Sequence, residues 1–338
     1  MKLVTFEVAT PLGPVERLGA LRGGRIVDLN LAAEFLYKAE DRARPAERAA
    51  FFVPPDLLGL LDGGDEALGE ARRALDALTG EPAGPNGERV VWGEGEVRLK
   101  APLPRPRSLR DFFAFEDHAK AGAARRKEPL QKEWYDQPVF YKGNPREVYG
   151  PGDELVWPAF TRRLDFEFEI AAVVGRPGRD VAVENAARHI AGYTIMNDCS
   201  ARDVQKNEMV CRMGPAKGKD FATVLGPWLV TADEWPGKIP ELKVRVNGTE
   251  WSRSDGVQPY WGFPVMLSHA SQGETLLPGD LLGSGTYHKG CGLDQDRWLK
   301  PGDVLELDAG PLGVLTNKVG APRGAAHLKY NRDGSYAS

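Results

Sequence analysis

Asp165, Glu167 and Glu169 stand two residues apart, alternating with Phe166, Phe168 and Ile170, before the chain enters an apolar stretch that ends at Gly175. A period of two is that of a strand, so the acids share one face and the apolar side chains the other. Like charges on one strand face repel. Such a row is either solvated or neutralised by something positive.

Other residues with chemical potential lie on both sides of it. Ser108 reads as the N-cap of a helix over SLRDFFAFEDHAKAGAARRK, which puts Asp111, Phe115 and His118 on one face spanning roughly 10 Å. The bland explanation is an acid compensating the helix dipole and a surface histidine. A strand over Ala191–Asn197 leads to a second helix, with Ser200 as cap and Asp203 closing a capping box, which leaves Asp198 at the junction. On that helix Arg202, Gln205 and Met209 share a face, and Arg202 has a structural alternative in pairing with Asp198. Gly214, Gly218 and Lys219 superficially suggest a phosphate loop. The glycines are separated by three residues and Asp220 follows the lysine, whereas a phosphate loop has four intervening residues and a Ser or Thr there. The run GSGTYHKGCGLD from Gly283 lacks dinucleotide-binding spacing and reads as a turn lining something. His189, His269, His288 and His327 show no zinc-site spacing and read as structural or surface residues.

The elements that must carry these groups are short. Leu3–Val8 reads as a strand, and Leu68, Ala71, Leu75 and Leu78 mark a helical face within Glu66–Leu78. Three alternating prolines in Ala101–Arg107 keep that segment extended and mark a boundary. The division expected is a small accessory domain over 1–103, a larger domain over 104–330 and a polar tail over 331–338. Beyond the boundary, short strands alternate with PGD turns at Pro151, Pro278 and Pro301, which favours mixed β architecture over a doubly wound sheet.

Composition narrows the partners. The 338 residues carry 44 basic and 48 acidic side chains, a formal charge of -4, which provides no broad basic surface for nucleic acid. Small molecules are the expected partners. Three cysteines, Cys199, Cys211 and Cys291, form no CxxC pair or disulfide framework, as in a reducing compartment. With no signal-type apolar region at its start and no run of about 18 apolar residues, the chain reads as cytoplasmic and free of membrane.

Taken in order, DFFAFEDH, PVFYKG, LDFEFEIAAVVG, NDCSARDVQ, GKDFATVLGPWLV, GSGT and LKPGDVLELD resemble the fumarylacetoacetate hydrolase family, from about Arg105 to Val319. The combination of ExE with NDxSARDxQ is highly specific, whereas residues 1–100 carry much less of the resemblance. It implies an α+β, mostly β fold, the family's mixed β-sandwich roll, with a small N-terminal α+β domain, and a homodimer. It also implies one divalent cation held by Asp111, Glu167, Glu169 and Asp198. Four carboxylates without thiolate or imidazole suit Mg²⁺, Mn²⁺ or Ca²⁺ rather than zinc. Asp165 is not carried over as a ligand and reads as second to the metal or solvated. His118 matches the family's catalytic base and Asp294 its carboxylate partner, one methylene shorter than the usual Glu; that partner fixes the imidazole tautomer so that His118 can take a proton from water. Lys219 matches the lysine near the developing oxyanion. Tyr141, Arg202, Gln205 and Thr286 match residues holding the substrate's carboxylate and oxo groups, and Thr223 a neighbouring pocket residue.

Two departures bear on substrate. Phe113 and Met209 stand where the fumarylacetoacetate enzymes have tyrosines, and their missing hydroxyls argue against fumarylacetoacetate itself. The arginine expected beyond His118 falls at Arg126 with a gap. The expectation is a metal-dependent hydrolase that cleaves a carbon-carbon bond in a 1,3-dioxo acid such as an acylpyruvate. The alternative is a 2-oxo acid decarboxylase, tautomerase or isomerase of the same family, acting on an oxaloacetate-like or aromatic-catabolic dioate substrate. A remote alternative is a non-catalytic β-protein binding structural Ca²⁺.

Overall fold

A computed structural model describes residues 1–324 and 326–336 of the chain. The first hundred residues form β1 (Lys2–Thr10), β2 (Gly13–Arg22), β3 (Arg25–Asp28), α1 (Leu29–Ala39), α2 (Pro45–Phe52), α3 (Leu57–Asp62), α4 (Gly64–Ala77), β4 (Val91–Gly93) and β5 (Arg98–Leu99). There follow β6 (Ser108–Phe112), α5 (Glu116–Arg125), β7 (Phe140–Gly143), β8 (Val148–Tyr149), β9 (Glu154–Pro158), β10 (Leu164–Asp165) and β11 (Phe168–Val174). The next elements are α6 (Val183–Ala186), β12 (Ile190–Asp198), β13 (Ser200–Ala201), α7 (Arg202–Val210) and β14 (Thr223–Thr231). The chain ends with β15 (Leu242–Val246), β16 (Thr249–Ser254), α8 (Phe263–Ser271), β17 (Asp280–Gly283), α9 (Gly292–Gln295), β18 (Val304–Asp308) and β19 (Val314–Arg323).

The fold is α+β and mostly β. One twelve-stranded sheet runs in the order β4-β3-β2-β1-β14-β12-β11-β17-β6-β7, with β5 added at β1 and β8 at β14. A five-stranded sheet, β16-β15-β18-β19-β9, packs against it. The glycines of the three PGD turns all have positive φ, as Gly152, Gly279 and Gly302, a conformation that favours glycine.

Strand β11 is buried on both faces. Phe168, Ile170, Ala172 and Val174 join the core shared with Val244, Leu305 and Leu315 of the smaller sheet. Ala171 and Val173, on the face of Glu169, join a second core with Leu3, Leu18, Leu60 and Ala71 of the N-terminal part. The acids do not share one strand: Glu169 lies on β11, Asp165 on β10, which pairs with β13 in a separate two-stranded sheet, and Glu167 makes an isolated bridge to Cys291; all three are buried, and a solvated row is excluded. Strand β1 lies against β14, Leu3 opposite Leu229, so sheet and core both cross the 103/104 junction. On α4 the buried face is Ala67, Ala71, Ala74 and Leu75. The tail over 331–336 is exposed, while Ala337 and Ser338 lie outside the described residues.

Two local expectations are corrected. Ser108–Phe112 is strand rather than helix: Leu109 and Phe112 are buried, and β6 pairs in parallel with β17 and antiparallel with β7. Ser108 donates to Asp280 Oδ1 at 2.6 Å instead of capping. Helix α5 starts only at Glu116, so Asp111 and His118 belong to different elements. Around 200 the capping box is absent. Ala201 is the N-cap of α7, the Ser200 hydroxyl donates to Asp198 O, and Asp203 accepts from Thr161 and the Arg162 amide.

Candidate metal and proton-transfer site

Neighbouring strands of the large sheet bring the acids together. Asp111 on β6 lies opposite Gly283 on β17, Gly283 lies opposite Ala171 on β11, and β11 pairs with β12, which ends at Asp198. Asp111, Glu167, Glu169 and Asp198 are all buried, and a carboxylate oxygen from each lies within 4.8 Å of the others. Gly283 makes this possible. A Cβ there would stand 2.6 Å from Asp111 Oδ1 and 3.0 Å from Glu169 Oε2.

Charge accounting tests whether a cation fits. Five carboxylates, those of Asp111, Asp165, Glu167, Glu169 and Asp198, are buried together, and among the described residues Arg202 and Lys219 are the permanent cations that bond to them, Arg110 being turned to Glu274 and Asp280. Lys219 Nζ donates to Glu167 Oε2 and Asp198 Oδ2, and the Tyr141 hydroxyl adds a 2.8 Å bond to the same Asp198 oxygen. Arg202 serves Asp165 through Nε at 2.8 Å and Glu167 at 2.9 Å. Asp111 and Glu169 are left to each other and to the Gly285 amide, and Glu169 Oε1 is buried with no hydrogen-bond partner. Uncompensated buried carboxylates are costly. Burial, then the charge of Asp198, lifts the Asp111 carboxyl well above the usual range, and burial, then Asp111, does the same for Glu169. Glu167 also feels burial, but Arg202, Lys219 and His118 outweigh it and hold the carboxyl at about 2. An orphaned oxygen in an all-carboxylate pocket fits a hard divalent cation, which these four acids would hold.

Beside the acids lies the histidine pair. The backbone of Glu167 bridges that of Cys291, three residues before Asp294. His118 Nδ1 is 2.8 Å from Asp294 Oδ2, so the shorter aspartate spans the gap. The same carboxylate accepts from Arg125 at 2.5 Å and from the Lys289 amide at 2.9 Å. Burial pushes Asp294 up, but His118 and Arg125 outweigh it and leave the carboxyl well below its ordinary value. Among the described residues, no protein group hydrogen-bonds His118 Nε2. Phe113 packs edge-on against the imidazole with ring centroids 5.4 Å apart.

The remaining sequence candidates gather here with different degrees of freedom. Tyr141 lies opposite Asp111 in register, and Thr223 opposite Asp198. Gln205 Oε1 accepts from Arg202 at 3.0 Å, and the Thr286 hydroxyl donates to Phe168 O at 2.9 Å. Arg202 does not pair with Asp198; its guanidinium is spent on Asp165, Glu167 and Gln205. Asp165 is neither solvated nor idle, being 1% exposed and fully hydrogen-bonded. Arg126 points to Glu128, and Arg125 instead reaches Asp294. The signal for Arg125 was its place seven residues after His118, the same face of a helix. His288 stands 3.4 Å from Asp294 and is half-exposed. Gly283 had no local signal, because its partners lie on strands remote in sequence.

An oxygen-lined pocket of hard-cation type beside a carboxylate-held histidine, on a mostly β scaffold, is the equipment of a metal-assisted enzyme. The chain belongs to the fumarylacetoacetate hydrolase family: residues 108–320 match the family described as fumarylacetoacetate (FAA) hydrolase C-terminal. It is 29% identical over 304 residues to the oxaloacetate tautomerase YisK of Bacillus subtilis (strain 168), covering 88% of this chain and 93% of that protein. To the mitochondrial oxaloacetate tautomerase FAHD2B of Homo sapiens it is 31% identical over 326 residues, covering 94% and 91% respectively. Maleylpyruvate hydrolase from Sphingobium sp. SYK-6, solved in complex with manganese(II) ion and pyruvate, shares the fold with a TM-score of 0.68 at 22% identity, covering 96% of this chain and 100% of that one. No helix among the described residues is long and apolar enough to cross a membrane.

Proposed function

We propose that this chain is a divalent-metal-dependent tautomerase of a small 2-oxo dicarboxylate of the oxaloacetate kind. This moves the weight from carbon-carbon hydrolysis to the alternative. The observation that carries it is the likeness, over nearly the whole chain, to two oxaloacetate tautomerases. The surroundings of His118 agree with it. Tautomerisation needs one base and no second hydroxyl donor, and the side of the imidazole occupied by Phe113 is apolar.

Asp294 holds the Nδ1 proton of His118, which leaves Nε2 as the acceptor for the proton on the substrate carbon next to the oxo group. Towards the keto form a protonated Nε2 would deliver a proton to that carbon while the enol hydroxyl gives up its own to water, and towards the enol the two transfers run in reverse. Lys219, buried among acids, offers fixed positive charge to the oxygen that gains electron density. Tyr141, Gln205, Thr286 and Thr223 complete the polar wall that orients the acid, and Arg202, matched to a substrate-binding position but taken up by Asp165, Glu167 and Gln205, acts on it through Gln205. A cation held by Asp111, Glu167, Glu169 and Asp198, with Mg²⁺, Mn²⁺ and Ca²⁺ as the candidates, supplies Lewis-acid polarisation of the oxo group when bound. The homodimer implied by the resemblance is part of the proposal and is checked by sedimentation.

Hydrolysis is the second reading, favoured by the same His118–Asp294 contact, since a base of this kind can also take a proton from water. Enol oxaloacetate and acylpyruvates, each assayed with Mg²⁺ against a buffer blank, separate the two. Accelerated loss of the enol with intact acylpyruvate supports tautomerisation; the reverse pattern overturns it. His118→Ala should lower the faster activity by at least ~10²-fold with Mg²⁺ binding retained.

A further inference from the structure

Asp165 is not carried over as a ligand, and its carboxylate accepts four hydrogen bonds. Its Oδ1 accepts from the Gly292 amide at 2.8 Å and from its own neighbour Phe166 at 2.9 Å. Its Oδ2 accepts from the Leu293 amide at 3.0 Å and from Arg202 Nε at 2.8 Å. The two ends of this arrangement differ in kind. On one side Arg202 continues to Glu167 Oε1 at 2.9 Å. On the other, Gly292 and Leu293 lead directly to Asp294, which holds His118. The contact also restricts the facing residue: a Cβ on Gly292 would stand 2.5 Å from Asp165 Oδ1 and 2.2 Å from Arg297 O.

We infer that Asp165 is a positioning residue that ties the orientation of Glu167 in the acid cluster to the placement of the 290–294 turn carrying the base's partner. The inference deepens the proposed reading, on which it rests for the roles of His118 and Glu167. The physical basis is a chain of charge-assisted bonds without a solvent gap, from Glu167 through Arg202 and Asp165 to two consecutive amides. When a cation takes a share of the Glu167 charge, Arg202 shifts its weight towards Asp165, and the turn is held more firmly. Groups one step removed from a metal commonly control the geometry of its ligands and of neighbouring reactive side chains in this way.

The test uses the full chain and Mg²⁺ as the probe. Hydrogen exchange of peptides covering 290–296 is measured with and without saturating Mg²⁺, with binding confirmed by calorimetry. Exchange of the Gly292 and Leu293 amides should slow severalfold on loading, and unchanged exchange with confirmed binding overturns the inference. In Asp165→Asn that response should vanish. Its kcat with enol oxaloacetate should fall ~10 to 100-fold with KM held within ~2-fold, and its Mg²⁺ affinity should fall less than in Glu169→Gln. Wild-type kcat in Asp165→Asn, or a metal loss equal to that of Glu169→Gln, also overturns it. If Asp165→Asn does not fold, the wild-type exchange result still decides. If the wild-type protein fails to tautomerise oxaloacetate, the proposed function falls, while the exchange experiment still reads the coupling.

Discussion

At the scale of single residues, Asp294 and the acid pair Asp111–Glu169 are opposites in how their environment treats charge. Asp294 is buried yet answered by His118, Arg125 and an amide, so its ionised form is secure. Asp294→Asn keeps the shape but loses the charge and the control of the imidazole tautomer. It should cost ~10² to 10⁴ in kcat with Mn²⁺ affinity unaltered, as read by steady-state kinetics and by titration followed through electron paramagnetic resonance. Asp111 and Glu169 are buried with little to answer them, and their carboxyls are raised in the folded state. The fold without metal therefore keeps protons that the unfolded chain releases above about pH 4. Stability of the metal-free protein consequently falls as pH rises from there towards the raised values. A cation held by these acids would displace those protons and remove the penalty. Chelation should then lower the melting temperature by more at about pH 8 than at about pH 5.5, a difference that scanning calorimetry measures. These residues were legible to different degrees. The four acids and the pair with Asp294 came from motif order, but the neutralisation of Asp165 by Arg202 needed the tertiary contact.

At the scale of elements, the four candidate ligands are placed by strand register more than by local sequence. The 111, 115, 118 spacing suits one helical face, and that reading failed because residues 280–283 provide β6 with a parallel partner that no local window contains. The acid-apolar alternation at 165–170 pointed to one strand, whereas β10 ends at Asp165 and β11 starts at Phe168, the two pieces joining different sheets. Nor could it tell that the polar face was covered, since the cover comes from Arg202, Lys219, Gly285 and the Gly292–Leu293 turn, all remote in sequence. Gly283 on β17 is where the register matters most for the metal. Gly283→Ala introduces a methyl beside Asp111 and Glu169, and against the mobile end of Met196 at 2.3 Å. Mg²⁺ affinity should fall at least ~10-fold by calorimetry while far-ultraviolet circular dichroism stays native. Retained affinity would mean that the acids can separate to admit the methyl.

At the scale of the whole molecule, the proline-rich segment at 101–107 is a sound marker of where the family motifs begin, but the twelve-stranded sheet passes across it. The composition of 1–100 gave no hint of this, because β1 reads as an ordinary half-buried strand whose second neighbour, β14, lies more than two hundred residues away. The parallel pairing of β6 with β17 is a closure of the same kind, joining Ser108 to Asp280 across 172 positions. Contacts so remote in sequence are entropically expensive to form early. Because Asp111 reaches Glu169 only once that closure is made, a cation held by the four acids would act as a latch on a finished structure and take no part in its nucleation. Mg²⁺ should accordingly slow unfolding in denaturant jumps, in proportion to its binding, and leave the refolding rate nearly as it is without metal.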